Sequence, residues 1–110
     1  MTTVNDTKRT APEDCADMDA VRAEIDRIDG ALVELLAERW RYVDRIWRLK
    51  SNPEEATVPW RIEQVIERVR ARAEEADMPA DLAEMLWRRL IAWGIQYEEE
   101  MLRAEQGETD

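Results

Sequence analysis

An all-α fold of three helices per chain, the first much the longest, follows from three observations. Apolar residues recur at steps of three and four over three long stretches, the spacing of amphipathic helices. Prolines fall between these stretches and none falls inside the first. β-Branched clusters are few, hairpin turn signals are absent, and nothing repeats with a solenoid period. A chain of 110 residues is one domain's worth, and 45 % apolar residues suffice for a core. No apolar run approaches the roughly 18–20 residues that span a bilayer.

Met1 to Pro12 carries no periodic pattern. Residues 1–14 are expected to form a disordered leader, 15–104 a helical domain and 105–110 a disordered tail. The first helix should begin near Asp17 or Asp19, either of which suits an N-cap. It runs to about Lys50 with the apolar stripe Val21, Ile25, Ile28, Leu32, Leu35, Leu36, Val43, Ile46 and Trp47. Gly30 inside it costs about 1 kcal/mol relative to alanine. Ser51-Asn52-Pro53 breaks the pattern, and a connector continues through Thr57-Val58-Pro59. A second helix starts near Trp60 with Ile62, Val65, Ile66 and Val69 on one face, and Asp77-Met78-Pro79 ends it. Pro79 suits a first-turn position of the third helix, which carries Leu82, Met85, Leu86, Leu90, Ile91, Trp93, Ile95, Tyr97, Met101 and Leu102. The five tryptophans are assigned to packing, with Trp60 a weaker candidate for a lid contact beside Arg61.

Composition narrows the chemistry. The chain has no histidine, which removes the commonest general base, the commonest metal ligand and Ser-His arrangements. A single cysteine, Cys15, gives no internal disulfide and no cysteine metal cluster. The three glycines form no phosphate-cradling loop. A net charge of −10 repels nucleic acid and anionic membrane, so an anionic ligand requires a local basic pocket. No metal and no cofactor are expected. The polar segment Met1 to Asp14 lacks the apolar stretch of a secretory signal, and the expected location is cytoplasmic. A chain 38 % charged has the composition of disorder, but the periodicity argues against it except at the ends.

A helix from Asp19 to Lys50 is about 48 Å long at 1.5 Å per residue. Two shorter helices do not easily cover so long a stripe, whereas a second copy of the long helix does. A symmetric homodimer is therefore expected, against a lopsided three-helix monomer.

Cations stand where that stripe should be apolar. Beyond Leu36 the stripe positions include Arg39 and Lys50, with Trp40 flanking, and Arg22 sits beside Val21. A buried cation is costly unless something anionic meets it. Either these cations pair with the chain's carboxylates or snorkel to water, or they converge on a bound dianion. Arg39 and Lys50 lie about 16 Å apart along the axis and their long side chains reach one small ligand between them. Arg22, about 25 Å from Arg39, joins only from an antiparallel partner helix. Arg61 follows the connector, which is long enough to fold it back toward Lys50. Glu98 lies on a line with Trp87, Ile91, Ile95 and Leu102. A carboxyl there has either a raised pKa, and a proton to donate to a ligand oxygen, or an ion pair with one of the arginines.

These residues resemble the all-helical chorismate mutases. Val21-Arg22-Ala23-Glu24-Ile25-Asp26-Arg27-Ile28-Asp29 is similar to the opening of that family, Leu35-Leu36-Ala37-Glu38-Arg39 follows at its spacing, and Lys50 comes eleven residues after Arg39. Pro12-Glu13-Asp14-Cys15 resembles a leader in the subgroup that includes the isochorismate pyruvate lyases. The resemblance covers about Pro12 to Leu102. It implies three helices per protomer, two protomers intertwined through their first helices, and two sites each built from both chains. It implies that Arg22 crosses to the other protomer's site to bind one substrate carboxylate and that Arg39 binds the other. Lys50 would contact the ether oxygen and a carboxylate, Arg61 would help hold a carboxylate, and Glu98 stands where many members place a glutamine bonded to the ether oxygen.

The chain departs from the family's pattern at several places. Val58 and Ile62 stand where mutases often carry acidic residues for the ring hydroxyl, and Gly94 replaces a polar residue. The loss of the acidic pair resembles the lyase subgroup. Glu98 points the other way, since those lyases keep glutamine and some mutases carry a glutamate that must be protonated. The implied activity is the rearrangement of chorismate to prephenate, a step of aromatic amino acid biosynthesis. The alternatives are elimination of pyruvate from isochorismate to give salicylate, and a non-catalytic helical dimer module. A packing module gains nothing from keeping Arg22, Arg39 and Lys50 on or beside an apolar stripe.

Overall fold

The computed structural model describes residues 9–50 and 58–107 of the chain. The expected break at Ser51-Asn52-Pro53, the connector up to Thr57, the first eight residues of the leader and the last three of the tail lie outside the described residues. Three α-helices carry the fold as expected: α1 (Met18–Leu49), α2 (Pro59–Glu75) and α3 (Ala80–Gly107), preceded by a 3-10 turn at Pro12–Asp14. Among the described residues there is no strand, and no helix is long and apolar enough to cross a membrane.

Two compact units divide the chain, Met1–Tyr42 and Val43–Asp110, and α1 contributes to both. In the first unit the leader has local structure up to Asp14, where none was expected. Proline at the first turn position presets the backbone, and the Asp14 and Cys15 N–H groups bond the carbonyls of Ala11 and Pro12 at 2.9 and 3.2 Å. Of the two candidate caps, Asp17 is the one used: its Oδ1 accepts the Ala20 N–H at 2.9 Å, and Asp19 instead lies in the first turn, favourably placed against the helix dipole. The stripe residues Val21, Ile25, Ile28, Leu32 and Leu36 are 38–50 % exposed in the single chain.

The second unit holds the last two turns of α1 with α2 and α3. Its core is Trp47, Ile66, Ala73, Ala83 and Leu102. Pro59 opens α2, one residue earlier than expected, with the Val58 carbonyl accepting from Arg61 and Ile62 at 3.0 and 3.2 Å. The helices α2 and α3 run antiparallel and are laced along one edge by ions: Arg70 meets Asp81 at 2.9 Å and Glu84 at 2.8 Å, and Arg88 meets Glu63 at 3.1 Å while also pairing with Glu84 of its own helix at 2.7 Å. These carboxylates raise the pKa of both arginines, which stay charged at any ordinary pH. Pro79 sits just before α3 rather than within its first turn, and its carbonyl accepts the Ala83 N–H at 3.2 Å. At its far end α3 continues to Gly107, three residues past the expected boundary at 104.

The turn between α2 and α3 closes by a Schellman arrangement. The Met78 N–H reaches the Ala73 carbonyl at 2.8 Å, the Asp77 N–H reaches Glu74 at 3.1 Å, and Asp77 between them has φ 60. A left-handed conformation costs an L-residue about 1 kcal/mol, and glycine is free of that cost. Asp77→Gly is therefore expected to stabilise the protein by about 0.5–1 kcal/mol, measured as a higher urea midpoint at unchanged m-value. An equal or lower midpoint would show that the left-handed residue carries no such cost.

Candidate active site

Two of the five predicted site residues come together in the second unit. Lys50 is the first residue after α1, where its backbone N–H still reaches the Trp47 carbonyl at 3.3 Å. Its Nζ donates to Glu98 Oε2 across 3.3 Å. Glu98 is on α3, four residues before the fully buried Leu102, and is 5 % exposed, the one buried charged residue among those described. The helical period puts Glu98 on the apolar line that carries Ile91, Ile95 and Leu102, and that line is why it is buried.

Burial raises the pKa of the Glu98 carboxyl, and the charge and hydrogen bond of Lys50 oppose that rise without cancelling it. The ion-pair partner is a lysine rather than one of the arginines, because the end of α1, not an arginine, faces α3 at this point. Pairing and a raised pKa therefore occur together. One ammonium at this distance offsets only part of the cost of taking a carboxylate out of water. The result is a buried carboxyl with a raised pKa in contact with an ammonium.

The other predicted residues differ in setting. Arg39 is half-buried on α1, and burial lowers the pKa of its guanidinium, which remains cationic. It makes no ion pair among the described residues, so no carboxylate there offsets its partial desolvation. Arg22, on the first turns of α1, is exposed and likewise has no carboxylate partner among the described residues. Arg61 is exposed on the first turn of α2 and donates to Gln64 Oε1 at 2.7 Å. Two shallow surface hollows, one lined by Gln96, Glu99, Glu100 and Arg103 and one by Gln64, Glu67 and Arg68, include none of the predicted residues.

A polar cluster beside the Lys50–Glu98 pair was not foreseen from the sequence. Asp44 Oδ1 accepts the Tyr97 hydroxyl at 2.7 Å and the Trp47 indole N–H at 2.9 Å. Its other oxygen lies 3.6 Å from Arg48, whose guanidinium sits 4.6 Å over the Trp47 ring. These donors, Tyr97 first, hold the Asp44 carboxyl below its ordinary pKa, and Asp44 in turn raises the Tyr97 phenol. Trp47 is the packing residue expected, but it also donates. One turn before Glu98, Gly94 is buried against α1, where a Cβ would lie 3.4 Å from Val43 Cγ1.

The sequence model of the chorismate mutase type II family matches residues 21–99, most of the chain. The chain is also similar to a Pseudomonas aeruginosa protein named isochorismate pyruvate lyase, with 31 % identity over 84 residues that cover 76 % of this chain and 83 % of that protein. The chain belongs to the chorismate mutase type II family.

The raised Glu98 pKa has a consequence for stability. A carboxyl whose pKa is higher in the folded than in the unfolded state favours folding most below its unfolded value, and this contribution is lost as pH rises through the folded value. Glu98→Gln removes the titration. The melting temperature of the variant should therefore gain on that of the parent as pH rises above the usual carboxylate range. Thermal melts of both proteins from pH 4 to pH 8 check this, and parallel curves would rule it out.

Proposed function

We propose, from the chain's membership in the chorismate mutase type II family, that it catalyses a pericyclic reaction of a chorismate-like dicarboxylate, and specifically the rearrangement of chorismate to prephenate. In this reaction the ether C–O bond breaks as a C–C bond forms, with no nucleophile and no proton transfer in the net change. What the protein supplies is a compact substrate conformer and positive charge where the ether oxygen gains electron density. The observation that carries the reading is the buried Glu98 carboxyl, with its raised pKa, held on the ammonium of Lys50.

In this proposal Lys50 and a protonated Glu98 both donate to the ether oxygen. An incoming dianion raises the Glu98 pKa further, so binding and protonation reinforce each other. Arg39, Arg61 and Arg22 take the two carboxylates. Arg22 does so from the second protomer of a homodimer in which each site draws on both chains. The half-exposed stripe from Val21 to Leu36 supports that dimer, since a second copy of the same helix is the surface that matches its length. The lack of a carboxylate partner for Arg22 and Arg39 among the described residues supports their role as anion ligands. A cytoplasmic setting and a place in aromatic amino acid biosynthesis belong to the same proposal.

The similarity to a protein named isochorismate pyruvate lyase favours a second reading. The same clamp suits elimination of pyruvate from isochorismate, and apolar Val58 and Ile62 in place of the mutases' acidic pair point the same way. Glu98 in place of glutamine favours the mutase. Separate incubation with chorismate and isochorismate decides the matter: prephenate from chorismate is expected, salicylate and pyruvate from isochorismate would establish the lyase, and turnover of neither would defeat both.

Lys50→Ala should lower turnover by about 10²–10³-fold while the protein stays folded. Near-normal turnover would remove Lys50 from the mechanism. Turnover should fall as pH rises through the Glu98 pKa, and Glu98→Gln should flatten that limb of the profile. An identical profile in the variant would show that a protonated carboxyl is not used. Mixed Arg22→Ala and Lys50→Ala proteins should regain activity on subunit exchange, because each mixed dimer contains one intact site. Demonstrated exchange without recovery would exclude shared sites.

A further inference from the structure

We infer that Asp44 and Tyr97 form a positioning pair that holds Glu98 of α3 against Lys50 at the end of α1. The inference rests on the functional reading above and extends it to residues that do not touch the reacting atoms.

Two contacts one turn apart set how α3 lies on α1. Gly94 brings the α3 backbone close to Val43, and Tyr97 bonds its hydroxyl to Asp44 at 2.7 Å. Together they fix both the separation of the two helices and the rotation of α3 about its axis. Glu98 is the residue after Tyr97, so that rotation decides where its carboxyl points. The second end of the pair is tied to the same carboxylate. Trp47 donates its indole N–H to the Asp44 oxygen that Tyr97 uses, and the Trp47 carbonyl takes the backbone N–H of Lys50. One Asp44 oxygen thus anchors the segment bearing the ammonium and the helix bearing the acid.

The Asp44 bonds are also the shorter ones. A hydroxyl donating to an ionised carboxylate at this distance makes a short, charge-assisted bond, whereas Lys50 and Glu98 meet at 3.3 Å. A flexible lysine and a glutamate hold that geometry only if their backbones are already in place. Arg48 beside the second Asp44 oxygen favours the anionic form that accepts both donors. Stacking of Trp93 on Tyr97, with ring centroids 5.9 Å apart, keeps the phenol ring oriented when its hydroxyl is removed. Tyr97→Phe is therefore a small deletion that leaves the ring packing alone.

The test is a carboxyl titration of the full-length protein followed by ¹³C NMR, with the Glu98 resonance assigned by its loss in Glu98→Gln. Lys50→Met removes the opposing charge and raises the Glu98 pKa, and the size of that rise measures the Lys50–Glu98 contact. In a Tyr97→Phe background the rise is expected to shrink by half or more. Asp44→Ala should act likewise, and Asp44→Asn, which keeps an acceptor oxygen for both donors, should restore most of the rise. Should Asp44→Ala fail to fold, Tyr97→Phe decides alone. A rise undiminished in Tyr97→Phe overturns the proposal.

Turnover gives an independent reading. Tyr97→Phe should lower kcat about tenfold with KM within about twofold, the mark of lost alignment rather than lost binding. A loss expressed wholly in KM would also overturn the positioning role. If the parent protein turns over neither chorismate nor isochorismate while the Lys50–Glu98 coupling still responds to Tyr97→Phe, the functional reading fails and the positioning pair stands.

Discussion

A carboxylate taken out of water next to one ammonium is the constraint around which the second unit is organised. Glu98 is nearly inaccessible on a helix line that is otherwise apolar, and Lys50 is its partner. Neither residue is a favourable choice for stability alone, since an apolar pair of similar size would fill the same space without desolvating two charges. Most other ion pairs among the described residues lie at exposed edges, where such pairs contribute little. The buried pair thus stands out among the described residues as one that packing alone does not favour, and perturbed carboxyls of this kind cluster at functional sites.

The route from sequence to this site is short where periodicity governs it. The three helices and the burial of Glu98 follow from steps of three and four. The choice between Asp17 and Asp19 as cap was open until the Asp17 side-chain hydrogen bond resolved it, because both are acidic residues at the same kind of boundary. The turn at Pro12–Asp14 escaped notice since a single turn has no period to detect. The extension of α3 to Gly107 escaped for a related reason, as its last residues are polar and exposed.

Partnerships across the sequence were harder to anticipate. Glu98 could be expected to meet a cation, but spacing does not say that a lysine 48 residues away would be that cation. The Asp44–Tyr97 bond joins residues 53 apart, and no local pattern announces it. Its only local trace is the spacing of Asp44, Trp47 and Arg48, three and four residues apart on one helix face, together with a phenol directly beside the buried acid. A tryptophan that both fills the core and donates from its indole is easily credited with the first task alone.

The order of the helices along the polypeptide gives the apolar stripe of α1 a further meaning. Translation delivers α1 before α2 and α3, so a greasy surface of five large aliphatic side chains leaves the ribosome first. The same side chains are half-exposed in the single chain with all three helices formed. A surface of this kind invites chaperone binding for as long as it stays open to water.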